Sequence, residues 1–138
     1  MKQIMKLKIV NKIDLTQSQI DHINERISDK SHENDVGPCT CWNKYANGLY
    51  AVIDTENGFI VALIEASGPD YAVNPGWWVD SRYRNKGYGK AVVIELAHFL
   101  RKCGYYGVGE ICIQTYKEKY DQYSSKLKDI FINEFMSS

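Results

Sequence analysis

The segment 71–115 constrains this 138-residue chain more than any other. A β-rich run, residues 71–79, ends at Val79. Next comes a loop holding Arg82, Arg84, Lys86 and the glycines Gly87 and Gly89. Residues 91–103 then place Val92/Val93, Leu96, Phe99/Leu100 and Cys103 three to four apart, the period of an amphipathic helix, with Gly104 as its C′ residue. Residues 110–115, EICIQT, read as a buried strand. Strand, helix and strand in this order predict a parallel pair joined by a right-handed crossover. Pro75 and Gly76 interrupt the first strand, and a proline cannot donate to a ladder, so a bulge is expected there.

Residues 6–13 alternate well enough for a first strand. Thr16-Gln17-Ser18-Gln19 fits a capping box, with Leu15 and Ile20 as its hydrophobic staple. Ile20, Ile23 and Ile27 share one face of the helix it starts, which should fray near Ser28-Asp29. Residues 29–48 are polar and punctuated by Gly37-Pro38 and Asn47-Gly48, a long loop of the kind that often serves a site. Runs 49–55 and 59–67 are strands, and Asn57-Gly58 between them signals a two-residue hairpin. Residues 117–128 look helical, and the final DIFINEFMSS is either a short strand or that helix continued. The expected order is β, α, β-β hairpin, β, α, β, α.

At ~100–200 residues per domain the chain is one domain, residues 1–138. Seventeen basic and seventeen acidic side chains cancel, which argues against a nucleic-acid binder. No run approaches ~18 apolar residues, so no membrane span is expected, and lysines scattered through the N-terminus make it a poor signal peptide. A cytoplasmic chain follows, with Cys39, Cys41, Cys103 and Cys112 reduced. Cys39 and Cys41 are one residue apart, too close for a zinc knuckle, and no second pair follows, so no metal is expected.

The loop carries the chemistry. Glycine lets a backbone approach a ligand closely, successive amides in such a turn form an anion nest, and a new helix adds its positive end. A phosphate or pyrophosphate site is the physical reading. A Walker A loop would need glycine at 84 and Ser or Thr at 91, where Arg84 and Ala91 stand. A dinucleotide fingerprint would need glycine where Val92 stands. Arg84-Asn85-Lys86-Gly87-Tyr88-Gly89 does satisfy every fixed position of Arg/Gln-x-x-Gly-x-Gly/Ala.

That pattern, with Val79 ending a strand, Tyr83 before the arginine and a helix closing at Gly104, resembles the acetyl-coenzyme A signature of the GCN5-related N-acetyltransferases (GNAT family). The resemblance is specific over about residues 76–104. It implies an α/β (α+β) fold: a central mixed, mostly antiparallel sheet flanked by helices, with the parallel pair around the acetyl-CoA loop. After the last helix the family usually has a two-stranded arm, which here would be shortened. The implied ligand is acetyl-CoA. Its pyrophosphate would meet Arg84, Asn85, Lys86, Gly87, Tyr88, Gly89 and Lys90, and its pantetheine arm the backbone of Trp78 and Val79. The implied reaction is direct attack of a primary amine on the thioester in a ternary complex.

The resemblance implies a tyrosine on the last helix as proton donor to the departing thiolate, which is Tyr123 or, second, Tyr120; the Gly-Phe turn usual after it is absent. Glu65, a carboxylate inside an apolar strand run, is the general-base candidate. Cys112 on the next strand raises a covalent acetyl-cysteine route. Trp42, Tyr45, Asn74 and Trp77 are the acceptor-side candidates; by alternation one of Trp77 and Trp78 should face the core and the other outward. The acceptor is a small-molecule or peptide amine. A shortened arm leaves an exposed sheet edge and favours a homodimer. The alternative is a non-catalytic acyl-CoA-binding module of the same fold.

Overall fold

The computed structural model describes residues 6–27, 48–83, 86–111 and 121–138. Its elements run β1 (Leu7–Asn11), α1 (Gln17–Ile27), β2 (Gly48–Asp54), β3 (Ile60–Ser67), β4 (Asn74–Val79), α2 (Tyr88–Lys102) and α3 (Asp121–Ser137). The strands form one sheet in the order β1-β2-β3-β4, every neighbour antiparallel.

Alternation along each strand sorts the side chains onto two faces. Leu7 and Ile9 of β1, Val52 of β2, Ala62 and Ile64 of β3 and Trp77 of β4 pack with Val92, Val93, Leu96 and Leu100 of α2 and Leu127, Phe131 and Phe135 of α3. Val10, Ala51, Leu63 and Trp78 face the other way and meet Leu15, Ile20 and Ile23 around α1. Helices therefore cover both faces.

Local chemistry sets the helix ends. Thr16 and Gln19 form the capping box reciprocally: the Gln19 amide donates to Thr16 Oγ1 at 3.1 Å, and the Thr16 amide to Gln19 Oε1 at 2.9 Å. At the far end of α2, Gly104 is left-handed (φ 101°). The Tyr105 amide reaches Leu100 O at 3.2 Å and the Gly104 amide reaches Arg101 O at 3.1 Å, the paired bonds of a Schellman motif. The β2–β3 hairpin is longer than Asn57-Gly58 suggests. Asp54 and Phe59 close it, through Asp54 N to Phe59 O at 2.9 Å, around a four-residue loop.

The structure overturns the parallel strand pair. Among the described residues the sheet is wholly antiparallel, and residues 107–111 meet the chain just before β4 through a single parallel bridge, Val73 to Val108. The Val73 amide donates to Gly107 O at 2.9 Å and the Gly109 amide to Val73 O at 2.7 Å. The next rung would need an amide from residue 75, and Pro75 has none. Instead the Glu110 amide turns to the side chain of Asn74, at 2.7 Å from Oδ1. Glu110 and Ile111 lie outside any strand, and 112–115 fall outside the described residues.

Nor is there a bulge at Pro75-Gly76. β4 pairs with β3 in unbroken register from Ser67/Asn74 to Ala62/Val79, and the register shift sits between Val52 and Ile53. Pro75 interrupts nothing because it presents its missing donor to the outer edge of β4, not to β3. Of the two readings of the C-terminus, the continued helix is the one seen. DIFINEFMSS forms no strand; α3 runs through it to Ser137, and Phe131 and Phe135, four apart, bury fully on the core face.

Candidate functional site

β4 leads into the glycine loop through Asp80, which continues the ladder with its amide on Val61 O at 2.9 Å. The Asp80 residue is 2 % exposed. Its carboxylate accepts two bonds from Arg26 of α1, Nε to Oδ2 and Nη2 to Oδ1, both 2.8 Å. Arg82 adds its backbone amide at 3.0 Å and its Nη2 at 3.2 Å. Burial alone would raise this carboxyl, but the bonds from Arg26 and then Arg82 outweigh it and hold Asp80 at about 2. Arg82 also lies 3.1 Å from His22 Nε2 and 5.5 Å from the centre of the Tyr83 ring. The strand-to-loop exit is thereby tied to α1.

On the far side of the loop, Gly87 is the N-cap of α2 in the left-handed region (φ 85°), with no side-chain cap bond. The first helical bond runs from Ala91 N to Gly87 O at 3.4 Å. The amides of Tyr88, Gly89 and Lys90 therefore precede the ladder, at the positive end of the helix. Lys86 and Lys90 are exposed beside them. A glycine cradle with uncapped amides and two cations fits a diphosphate. Arg84 and Asn85 lie outside the described residues.

The Tyr88 hydroxyl donates to Asp54 Oδ2 at 2.7 Å. That bond first, then burial, pushes the phenol up to about 12. Its ring meets Tyr83 edge-on, centroids 5.6 Å apart.

Backbone polarity along β4 follows from the Asp80–Val61 bond. Trp78 and Gly76 direct their amides at β3, while Trp77 and Val79 direct theirs at the outer edge, where Val73 meets Gly107. Both tryptophan rings are buried, on opposite faces: Trp77 against Phe131, centroids 5.6 Å apart, and Trp78 beside Leu63 and Ile23. Neither faces outward, because α1 covers the second face. Asn74 engages Glu110 through its side-chain carbonyl.

Glu65 lies on the α1 face of β3, paired with Leu49 on one side and Gly76 on the other. Glu65 Oε2 is buried without a hydrogen-bond partner, and burial raises this carboxyl above its ordinary value of 4.5. A carboxylate in this state is poised to take a proton. Tyr123 falls in the first turn of α3. Tyr120, Trp42, Tyr45 and Cys112 fall outside the described residues. Among the described residues no helix is long and apolar enough to cross a membrane.

Three residues of this region escape sequence reasoning: Asp80, Arg26 and Asp54. Their partners lie 54 and 34 positions away, and only the placement of Asp80 directly after Val79 hints at a junction role.

Residues 18–119 match the profile of the acetyltransferase (GNAT) family. No curated protein sequence matches. Among solved structures, the chain is similar to an aminoglycoside acetyltransferase from an uncultured soil metagenomic sample, solved with sisomicin (16 % identity, 91 % of this chain and 86 % of that one, TM-score 0.47). It is also similar to glucosamine-6-phosphate N-acetyltransferase from Arabidopsis thaliana (17 % identity, 89 % and 90 %, TM-score 0.41).

Proposed function

The chain belongs to the acetyltransferase (GNAT) family, and we propose that it moves an acetyl group from acetyl-CoA to a primary amine by direct attack, with both substrates bound together. The observation that carries this reading is the β4–α2 junction, where a left-handed glycine without a side-chain cap opens a helix beside two lysines.

Bound acetyl-CoA supplies an acyl group already activated as a thioester. Around it the chain binds, orients and moves protons. Gly87, Tyr88, Gly89 and Lys90 offer amides to the diphosphate, with Arg84, Asn85 and Lys86 completing the turn. The end of β4 at Trp77 and Val79 receives the amide-rich arm by strand addition, whereas Trp78 turns its amide to β3. An alkylammonium has a pKa of about 10.4 and must lose a proton before it can attack. Glu65 accepts it through its buried, unpartnered Oε2. The new N–C bond forms as the C–S bond breaks, and Tyr123, or Tyr120 next to the same helix start, gives the thiolate its proton. Trp42, Tyr45, Asn74 and the β4 backbone at Trp77 form the acceptor side.

Thiol release from acetyl-CoA across a panel of alkyl amines and peptides tests the reading. Steady turnover with at least one amine is expected. Tight acetyl-CoA binding with no turnover on any amine would mark the chain as a non-catalytic acyl-CoA-binding module. Gly87→Val should abolish CoA binding by calorimetry; unchanged affinity would refute the loop assignment.

A further inference from the structure

We propose that Asp54 is a positioning residue for the diphosphate-binding turn, acting through the Tyr88 hydroxyl. The proposal rests on the assignment of that turn to CoA. Asp54 is the last residue of β2, 6 % exposed, and far from the loop in sequence. One of its oxygens acts locally, Oδ1 accepting the Glu56 amide at 3.0 Å within the hairpin. The other, Oδ2, crosses 34 positions to meet Tyr88 at 2.7 Å, the length of a charge-assisted O–H···O⁻ bond.

Tyr88 stands between the two glycines of the turn. Glycine backbones are the freest in the chain, and Gly87 has no side chain with which to cap α2. Tyr88 is the one side chain between them that can hold the main chain still. Its ring is gripped twice: at the hydroxyl by Asp54, and at the ring by Tyr83, whose own ring lies under the Arg82 guanidinium. Asp54 is in turn held by its backbone, whose amide donates to Phe59 O at 2.9 Å and whose carbonyl accepts from Gly58 at 2.7 Å. The hairpin is thus a rigid base, and Tyr88 transmits its position to the amides on either side. A carboxylate buried near an anion site has a repulsive cost. Its presence fits a role that an apolar pair could not fill, which is fixing one geometry of the turn before the ligand arrives.

A double-mutant cycle on the full chain tests this, with Kd for CoA measured by calorimetry at 25 °C and melting followed separately. Tyr88→Phe removes only the hydroxyl, and Asp54→Asn leaves an acceptor for Glu56 but not the charge. Each should weaken CoA by about five- to tenfold, and the double variant should be no weaker than the weaker single, because the two act through one bond. A purely structural bond would lower the melting temperature and leave Kd at 25 °C within twofold, and that result overturns the proposal. Multiplying losses in the double variant also overturn it. If Asp54→Asn fails to fold, Tyr88→Phe decides alone. Gly87→Val separates the two levels: loss of CoA binding there with a silent Tyr88→Phe sinks the positioning role only, whereas intact binding in Gly87→Val sinks the loop assignment and this proposal with it.

Discussion

Replacing Asp80 by asparagine keeps the shape of the side chain and removes its charge. Asp80 is 2 % exposed and paired with Arg26, whose side chain is 12 % exposed. Its carboxyl sits at about 2 in the folded chain against an ordinary 3.8. At 1.36 kcal/mol per pH unit, that gap is worth roughly 2 kcal/mol at neutral pH. The substitution also removes the charge opposite the Arg26 guanidinium between sheet and α1, and breaking one side of a buried pair costs ~3–5 kcal/mol in all. Partial exposure of Arg26 points to the lower end, a fall of about 10 °C in melting temperature. The sign fixes a second readout. A depressed carboxyl stabilises fully above its unfolded pKa and loses that contribution as pH falls towards 2, so wild type should weaken towards the variant below pH 4. By pH 3 roughly half of the charge-dependent gap should be gone. Urea unfolding of both chains at pH 7, 5, 4 and 3 measures it. A gap below 1 kcal/mol at pH 7, or one that stays constant down to pH 3, would refute the argument.

Glu65→Gln should lower kcat by about 10²-fold or more and flatten the acid limb of the pH–rate profile. Because burial raises this carboxyl, its charge destabilises the fold increasingly as pH rises through the raised value, so the same variant should melt higher than wild type at pH 7; a lower melting temperature contradicts the orphaned-carboxylate account. Gly107→Ala places a Cβ against the Tyr71 carbonyl oxygen and should cost ~1–3 kcal/mol in chemical denaturation; a neutral result would mean that the 107–109 segment does not sit against the start of β4. Tyr123→Phe should slow turnover while leaving the Kd for CoA unchanged, and if Tyr120→Phe alone does so the donor is Tyr120.

What the sequence discloses and what it hides divide by range. The Thr16–Gln19 box and the Gly104 stop involve residues three to five apart, so spacing alone reveals them. The two faces of the sheet follow from alternation, which is equally local. Glu65 stands out because a carboxylate within IVALIEAS breaks an apolar run. Among the described residues the parallel pair stops at one bridge, Val73 to Val108, because the next rung would need the amide that Pro75 lacks. That same proline suggested a bulge because sequence does not say which edge its missing donor faces. Asp54 and Asp80 are silent in sequence for another reason. Their meaning lies in Tyr88 and Arg26, which only the fold brings near.

Pro75 has one more effect, on the company the sheet keeps. An intruding polypeptide that tried to extend the sheet along the outer side of β4 would find Val73 already engaged by Gly107 and Gly109 and no donor two residues later. A guest backbone is thereby refused at its second rung, so a single imino acid decides which visitors can dock there.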